Sequence, residues 1–114
     1  MALNLKVEEP GKGVVLVSAA GEVDLNTSPQ LRQAMAPHLK KKMRGLVVDL
    51  SQVSYMDSSG IATLIEAMQG CQKFGMSLRL SAPSTAVSEV FKMAHLDKIF
   101  EIRASREEAM KDLG

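Results

Sequence analysis

The sequence predicts an α/β domain: one mixed, mostly parallel sheet of about five strands with about four helices packed around it. Two strand-like runs open the chain, and beyond them short apolar runs alternate with longer stretches whose apolar residues recur at helical spacing. Alternation of that kind requires crossover connections, which are right-handed and leave the strands parallel. A length of 114 residues supports one hydrophobic core and is too short for two, so a single domain is expected over residues 1–114.

Taken in order, Leu3, Leu5 and Val7 alternate with polar residues, and Val14 to Ala20 forms a denser apolar run. Glu9-Pro10-Gly11-Lys12-Gly13 between them is rich in turn formers, so the pair reads as a hairpin that adds one antiparallel strand at an edge. A first helix is expected over residues 28–42, where Ser28 precedes Pro29, a residue whose fixed φ suits a first turn. Pro37 lies inside this pattern and should kink or end the helix. Lys40, Lys41, Lys42 and Arg44 would close it, their positive charge set against the carboxyl-end dipole.

The β-branched run over residues 46–50 reads as the next strand. A helix over 58–74 carries Ile61, Leu64, Ile65 and Met68 at helical spacing, and Gly75 suits a left-handed stop after it. Strands over 77–82 and 99–103 flank a helix over 84–94, which begins at Ser84 after Pro83. The last helix, over 105–113, opens on a capping box of Ser105 and Glu108. Cys71 falls on or beside the packed face of the second helix, and methionines such as Met35, Met68 and Met110 fall at core-like positions.

Composition excludes several classes of function. Apolar residues make up 46% and charged residues 24%, as in an ordinary globular domain and unlike a disordered chain. A net charge of +1, with no dense Lys/Arg stripe and no aromatic interleaving, gives no case for direct nucleic-acid binding. One cysteine cannot form an internal disulfide, and no basic-then-apolar leader opens the chain, so a cytoplasmic location is expected. No apolar run reaches ~18 residues, so no membrane partner and no fused transporter are expected.

The segment that carries chemistry is Met56-Asp57-Ser58-Ser59-Gly60, where a strand gives way to an amphipathic helix. The first N–H groups of a helix lack intrahelical partners and carry partial positive charge, so this end favours anions, including a phosphate on a serine. Helix capping by Asp57 or Ser58 is the plain structural alternative, stabilising by about 1 kcal/mol. Asp24 also follows a strand end, so Asp24 and Ser58 should share one edge of the molecule.

Three segments in this order resemble the anti-sigma factor antagonists of the STAS domain family. They are Gly21-Glu22-Val23-Asp24, Asp57-Ser58-Ser59-Gly60, and Val87-x-x-Val90-Phe91-x-Met93-x-x-Leu96-x-x-Ile99-Phe100, and the resemblance covers nearly the whole chain. It implies a non-enzymatic regulator. The unphosphorylated form would bind an anti-sigma factor that is also a serine kinase and so release a sigma factor. Phosphorylation of Ser58 would end that binding, and a serine phosphatase would restore it. The kinase brings the ATP, so no cofactor, metal or catalytic residue is expected in this chain.

The same resemblance puts Gly21, Glu22, Asp24, Met56, Asp57, Ser59, Gly60 and Ile61 in the partner-binding surface. Each has a structural alternative. Asp24 either meets a basic group on the kinase or caps the next turn, and Glu22 is a weaker candidate because a charge at a strand end is usually just solvated. Gly60 either admits a partner's loop or is a permissive first-turn residue. Met56 and Ile61 either frame the hydroxyl or belong to the core, and Ser59 is either a second hydroxyl donor or another capping group. The family often has glycine where this chain has His95, a residue that tolerates positive φ better than branched ones.

Other chemistries lack their residues. There is no G-x-S-x-G elbow for a hydrolase, no phosphate-binding loop of the G-x-x-x-x-G-K-[ST] kind, and two histidines with one well-separated cysteine do not make a zinc site. A STAS-type scaffold, or a small-molecule or lipid-pathway binding subunit without a phosphoswitch, stands as the alternative function.

Overall fold

The apolar runs become the centre of a sheet in the computed structural model, which describes residues 2–11, 13–40, 42–111 and 113. Strand β1 (Leu3–Gly11) pairs antiparallel with β2 (Val14–Val23), and β3 (Gly45–Met56), β4 (Ser77–Ser81) and β5 (Glu101–Arg103) follow as parallel neighbours. Among the described residues the sheet has five strands in the spatial order of the sequence. Side chains alternate across it. Val15, Val17 and Ala19 of β2 and Leu46, Val48 and Leu50 of β3 enter the main core, while Val14, Leu16 and Val47 face a smaller cluster on the other side.

Helices α1 (Ser28–Met35), α2 (Ser58–Lys73) and α3 (Thr85–Met93) supply Leu31, Met35, Leu64, Ala67, Cys71, Val87 and Phe91 to the main core. Helix α4 (Arg106–Met110) lies over the other face, where Ala109 and Leu113 cover Val14, Leu16 and Val47. Burial pushes the Cys71 thiol up to about 11, so it stays a neutral packing group.

Four expected boundaries are corrected. The first helix ends at Met35 and tightens into a 3-10 turn, Ala36–His38, because Pro37 has no N–H to continue an α-helical ladder. Lys40, Lys42 and Arg44 therefore lie in the connection to β3 and do not close a helix, and Lys41 lies outside the described residues. Helix α1 is entered through Thr27, with Ser28 as its first residue. Strand β3 runs twelve residues instead of five, continuing through Ser51, Gln52 and Ser54 by way of two register shifts against β2. Strand β5 starts at Glu101, since Ile99 and Phe100 sit in a turn whose amides bond back to Leu96, and Phe100 packs on Phe91 at 5.6 Å between rings. Helix α4 stops at Met110, where Lys111 is extended.

The two helix ends that flank β4 and β5 share one device. After α2, Gly75 has φ +72 and the Met76 amide reaches the Cys71 carbonyl at 2.8 Å. After α3, His95 takes the same role at φ +59, and the Leu96 amide reaches Phe91 at 2.8 Å. Histidine in the left-handed region carries strain that glycine avoids, offset in part by the greater freedom glycine gives the unfolded chain. His95→Gly is accordingly expected to raise stability by about 0.5 kcal/mol, read as a higher midpoint in urea denaturation at unchanged slope.

Candidate functional site

The parallel pairing of β2 and β3 ends on Val23 opposite Met56, and the Asp57 amide adds one more bond, 3.1 Å, to the Val23 carbonyl. Two loops leave the sheet side by side at this point, one beginning at Asp24 and the other at Asp57. The expectation that Asp24 and Ser58 share an edge follows directly from this register.

Asp57 is the N-cap of α2. Its Oδ1 accepts the Ser59 amide at 2.9 Å, the Gly60 amide at 3.4 Å and the Ser59 hydroxyl at 2.5 Å. The Leu25 backbone amide lies close enough to favour the ionised form of this carboxylate, so the two loops are linked electrostatically. These bonds, the Ser59 hydroxyl foremost, hold the Asp57 carboxyl below its ordinary value of 3.8 against the opposing effect of partial burial. The contribution of a group with a lowered folded pKa is complete above the unfolded value and is lost as pH falls through the folded one. Asp57→Ala is therefore expected to cost about 1 kcal/mol at pH 7, with the difference from the parent shrinking below pH ~3.8 in a pH series of urea titrations.

The two serines of the segment are placed differently. Ser59 is half-buried, with its hydroxyl given to Asp57 and its carbonyl accepting the Thr63 hydroxyl at 2.9 Å. Ser58, the first residue of α2, is exposed, and among the described residues nothing takes a hydrogen bond from its hydroxyl. Gly60 is buried: a Cβ there would stand 2.7 Å from Met56 Cγ and 2.8 Å from Val23 Cγ1. Its lack of a side chain lets the first turn of α2 press onto the ends of β2 and β3. Met56, at 3% exposure, is core, and Ile61 packs half-buried against that core.

On the neighbouring loop, Asp24 caps the turn that follows it. Its Oδ1 accepts the amides of Asn26 at 2.9 Å and Thr27 at 3.0 Å, and its carbonyl accepts Ser28 at 2.8 Å. Buried Thr27 completes the loop, accepting the Asp24 amide at 2.9 Å and donating to the Glu22 carbonyl at 2.8 Å. Gly21 is held at φ +123, where a Cβ would fall 2.3 Å from the Ala2 carbonyl oxygen, so the close approach of β1 requires glycine. The side chain of Glu22 is half-buried, opposite Tyr55.

Sequence reasoning passed over three residues here. Leu25 is 75% exposed, and Tyr55 is 49% exposed on β3. Both hold apolar surface in solvent, Leu25 in the loop after Asp24 and Tyr55 near the end of β3. Thr27 is the third, a loop residue buried because its hydroxyl carries the loop's internal bonds. A signal existed for Leu25, as the apolar residue of an otherwise polar loop between Asp24 and Asn26.

The STAS domain family model matches residues 6–109. The chain belongs to the STAS domain family. The anti-sigma-B factor antagonist of Bacillus subtilis (strain 168) is 32% identical over 107 residues, which cover 94% of this chain and 96% of that relative. The crystal structure of an anti-sigma factor antagonist from Mycobacterium paratuberculosis matches with a TM-score of 0.86 at 28% identity, over 98% of this chain and 94% of that one. The anti-sigma factor antagonist SpoIIAA shares the STAS fold in its unphosphorylated form, with a TM-score of 0.81 at 23% identity over 94% and 93% of the two chains. Its phosphorylated form gives 0.76 at 21% identity over 97% and 100%. In this STAS domain no group of three or more His, Cys, Asp or Glu among the described residues is placed to hold a metal, and no helix is long and apolar enough to cross a membrane.

Proposed function

We propose that the protein is an anti-sigma factor antagonist whose binding to an anti-sigma factor with serine kinase activity is switched off by phosphorylation of Ser58. It acts by binding and carries out no catalysis of its own. The observation that carries the reading is the contrast between the two serines: Ser58 offers an exposed hydroxyl at the helix start, while Ser59 has given its hydroxyl to Asp57. The relatives named above support the general role.

The surface offered to the partner comprises Ser58, the exposed Leu25 of the neighbouring loop, and the turn capped by Asp24. Asp57, Ser59, Gly60, Met56, Gly21 and Glu22 contribute by holding that surface in place, with Ile61 at its margin. Because Asp57 already occupies the Ser59 and Gly60 amides, a phosphate on Ser58 stands outside the cap, next to a carboxylate, and adds about −1.5 to −2 charges to the docking surface. A phosphatase removes it. The switch then works at the interface and needs no refolding, which fits a fold that SpoIIAA keeps in both of its forms.

Incubation with the cognate kinase and ATP, followed by intact mass and fragment mapping, tests the reading. One phosphate on the parent protein, mapped to Ser58 and missing from Ser58→Ala, supports it. Phosphate mapped to Ser59, or no phosphate at all, would refute the assignment and favour a scaffold or ligand-binding role.

A further inference from the structure

On the sheet face away from α1, α2 and α3, a row of polar residues crosses all five strands. Lys6 stands opposite Ser18, Ser18 opposite Asp49, Asp49 opposite Ser81, and Ser81 opposite Arg103. The positions just below, Val14, Leu16 and Val47, are apolar and covered by α4, so the row is where this face changes character. Asp49 is 3% exposed, and its two oxygens accept the Ser51 amide at 2.9 Å and the Arg106 Nε–H. Arg106 also donates to the Ser18 hydroxyl, at 3.0 Å through Nη2. The Ser81 hydroxyl is fully buried with no hydrogen-bond partner among the described residues.

Beside this row lies a cavity of about 190 Å³ with an apolar wall from Leu5, Ala19 and Ala20 and polar groups from Asn4, Lys6, Ser18, Asp49, Gln52 and Arg106. Its chemistry is lopsided. The one carboxylate in the wall is already neutralised, whereas donors remain on Lys6, Asn4, Gln52 and the guanidinium. Asp49 and Ser18 take the Nε/Nη2 edge of Arg106, which fixes the plane of the fork and turns its other edge, Nη1/Nη2, away from them. A guanidinium held in that way matches the spacing of a planar or tetrahedral oxyanion, with less side-chain freedom to lose on binding. Glu8 and Glu107 oppose this, both acting electrostatically on Arg106 and Glu8 also meeting Lys6 at 4.0 Å, but neither lines the cavity.

We propose that this cavity is a binding site for a small oxyanion, a phosphate or carboxylate group, held end-on by Arg106 with Lys6 as the second cation. The site is separate from Ser58 and does not depend on it. Amide and arginine Nε resonances followed during titration with inorganic phosphate, and in a second arm with acetate, each against sodium chloride of equal ionic strength, test it. Saturable shifts at Lys6, Ser18, Gln52 and the Arg106 Nε–H are expected. The anion that saturates at the lower concentration names the ligand class. Lys6→Gln removes a cation from an exposed position, and Gln52→Glu sets a carboxylate at the exposed rim, so both variants keep the folded spectrum and each should weaken binding at least tenfold. Absence of saturable shifts with both anions, shifts centred instead on residues 58–60, or equal affinity in both variants would overturn the proposal.

Discussion

Replacing Ser58 with aspartate is expected to weaken binding to the partner kinase on the order of a hundredfold, while Ser58→Ala binds as the parent does and accepts no phosphate. The magnitude follows from charge. A docked partner excludes water from the Ser58 edge, and a negative charge placed there beside Asp57 must be desolvated or opposed. A mismatch of ~3 kcal/mol corresponds to about two decades of affinity. The folded state itself has no reason to object, since the Ser58 side chain is exposed and a helix start tolerates negative charge. Affinity by calorimetry and amide spectra should therefore separate cleanly: a large change in the first, and in the second only shifts local to Ser58. A global spectral change in Ser58→Asp would mean that the switch is conformational.

Gly60→Ala is expected to cost about 2 kcal/mol, seen as a fall in Tm of roughly 10 °C. The added methyl group meets Val23 Cγ1 at 2.8 Å and Met56 Cγ at 2.7 Å. Methionine can move, but the β-branched valine at the end of β2 has little rotamer freedom, so the first turn of α2 must lift from the sheet. Lifting also shifts the cap that Asp57 forms at the start of α2. Partner affinity should fall with stability even though Gly60 is buried and touches no partner. In a double-mutant cycle with Val23→Ala, the pair should be less destabilised than the sum of the singles, because the valine methyl is the obstacle. Simple additivity would place the strain elsewhere.

The sheet and the start of α2 were legible because local signals agreed with the global pattern. Dense apolar and β-branched runs marked β2 and β3 as strands, Asp57-Ser58-Ser59-Gly60 marked a helix start, and Gly75 marked a stop that the structure realises at φ +72. What escaped has physical reasons. Ser51, Gln52 and Ser54 extend β3 although they break the alternation, because two register shifts re-phase the strand and the Asp49 carboxylate takes the Ser51 amide. That Asp24 caps its own turn is visible only in the hydrogen bonds within its loop. Leu25 lies near the Asp57 carboxylate, more than thirty residues away in the chain, a proximity that no local pattern announces.

The candidate site shows the same division. Residue type identified the two serines, and only the geometry of Asp57 distinguishes them, by binding one hydroxyl and leaving the other at the surface. Gly60 looked like freedom for a partner to approach, whereas it answers to close packing inside the chain, as does Gly21. The docking surface proposed above is thus narrower than the motifs suggest, and it adds the exposed Leu25, which the motifs do not contain.

The central claim is tested most directly by preparing the protein in unphosphorylated and fully Ser58-phosphorylated forms and measuring the affinity of each for the same purified kinase partner by calorimetry. The account requires a loss on the order of a hundredfold in the phosphorylated form with closely matching amide spectra. Equal affinities would contradict it.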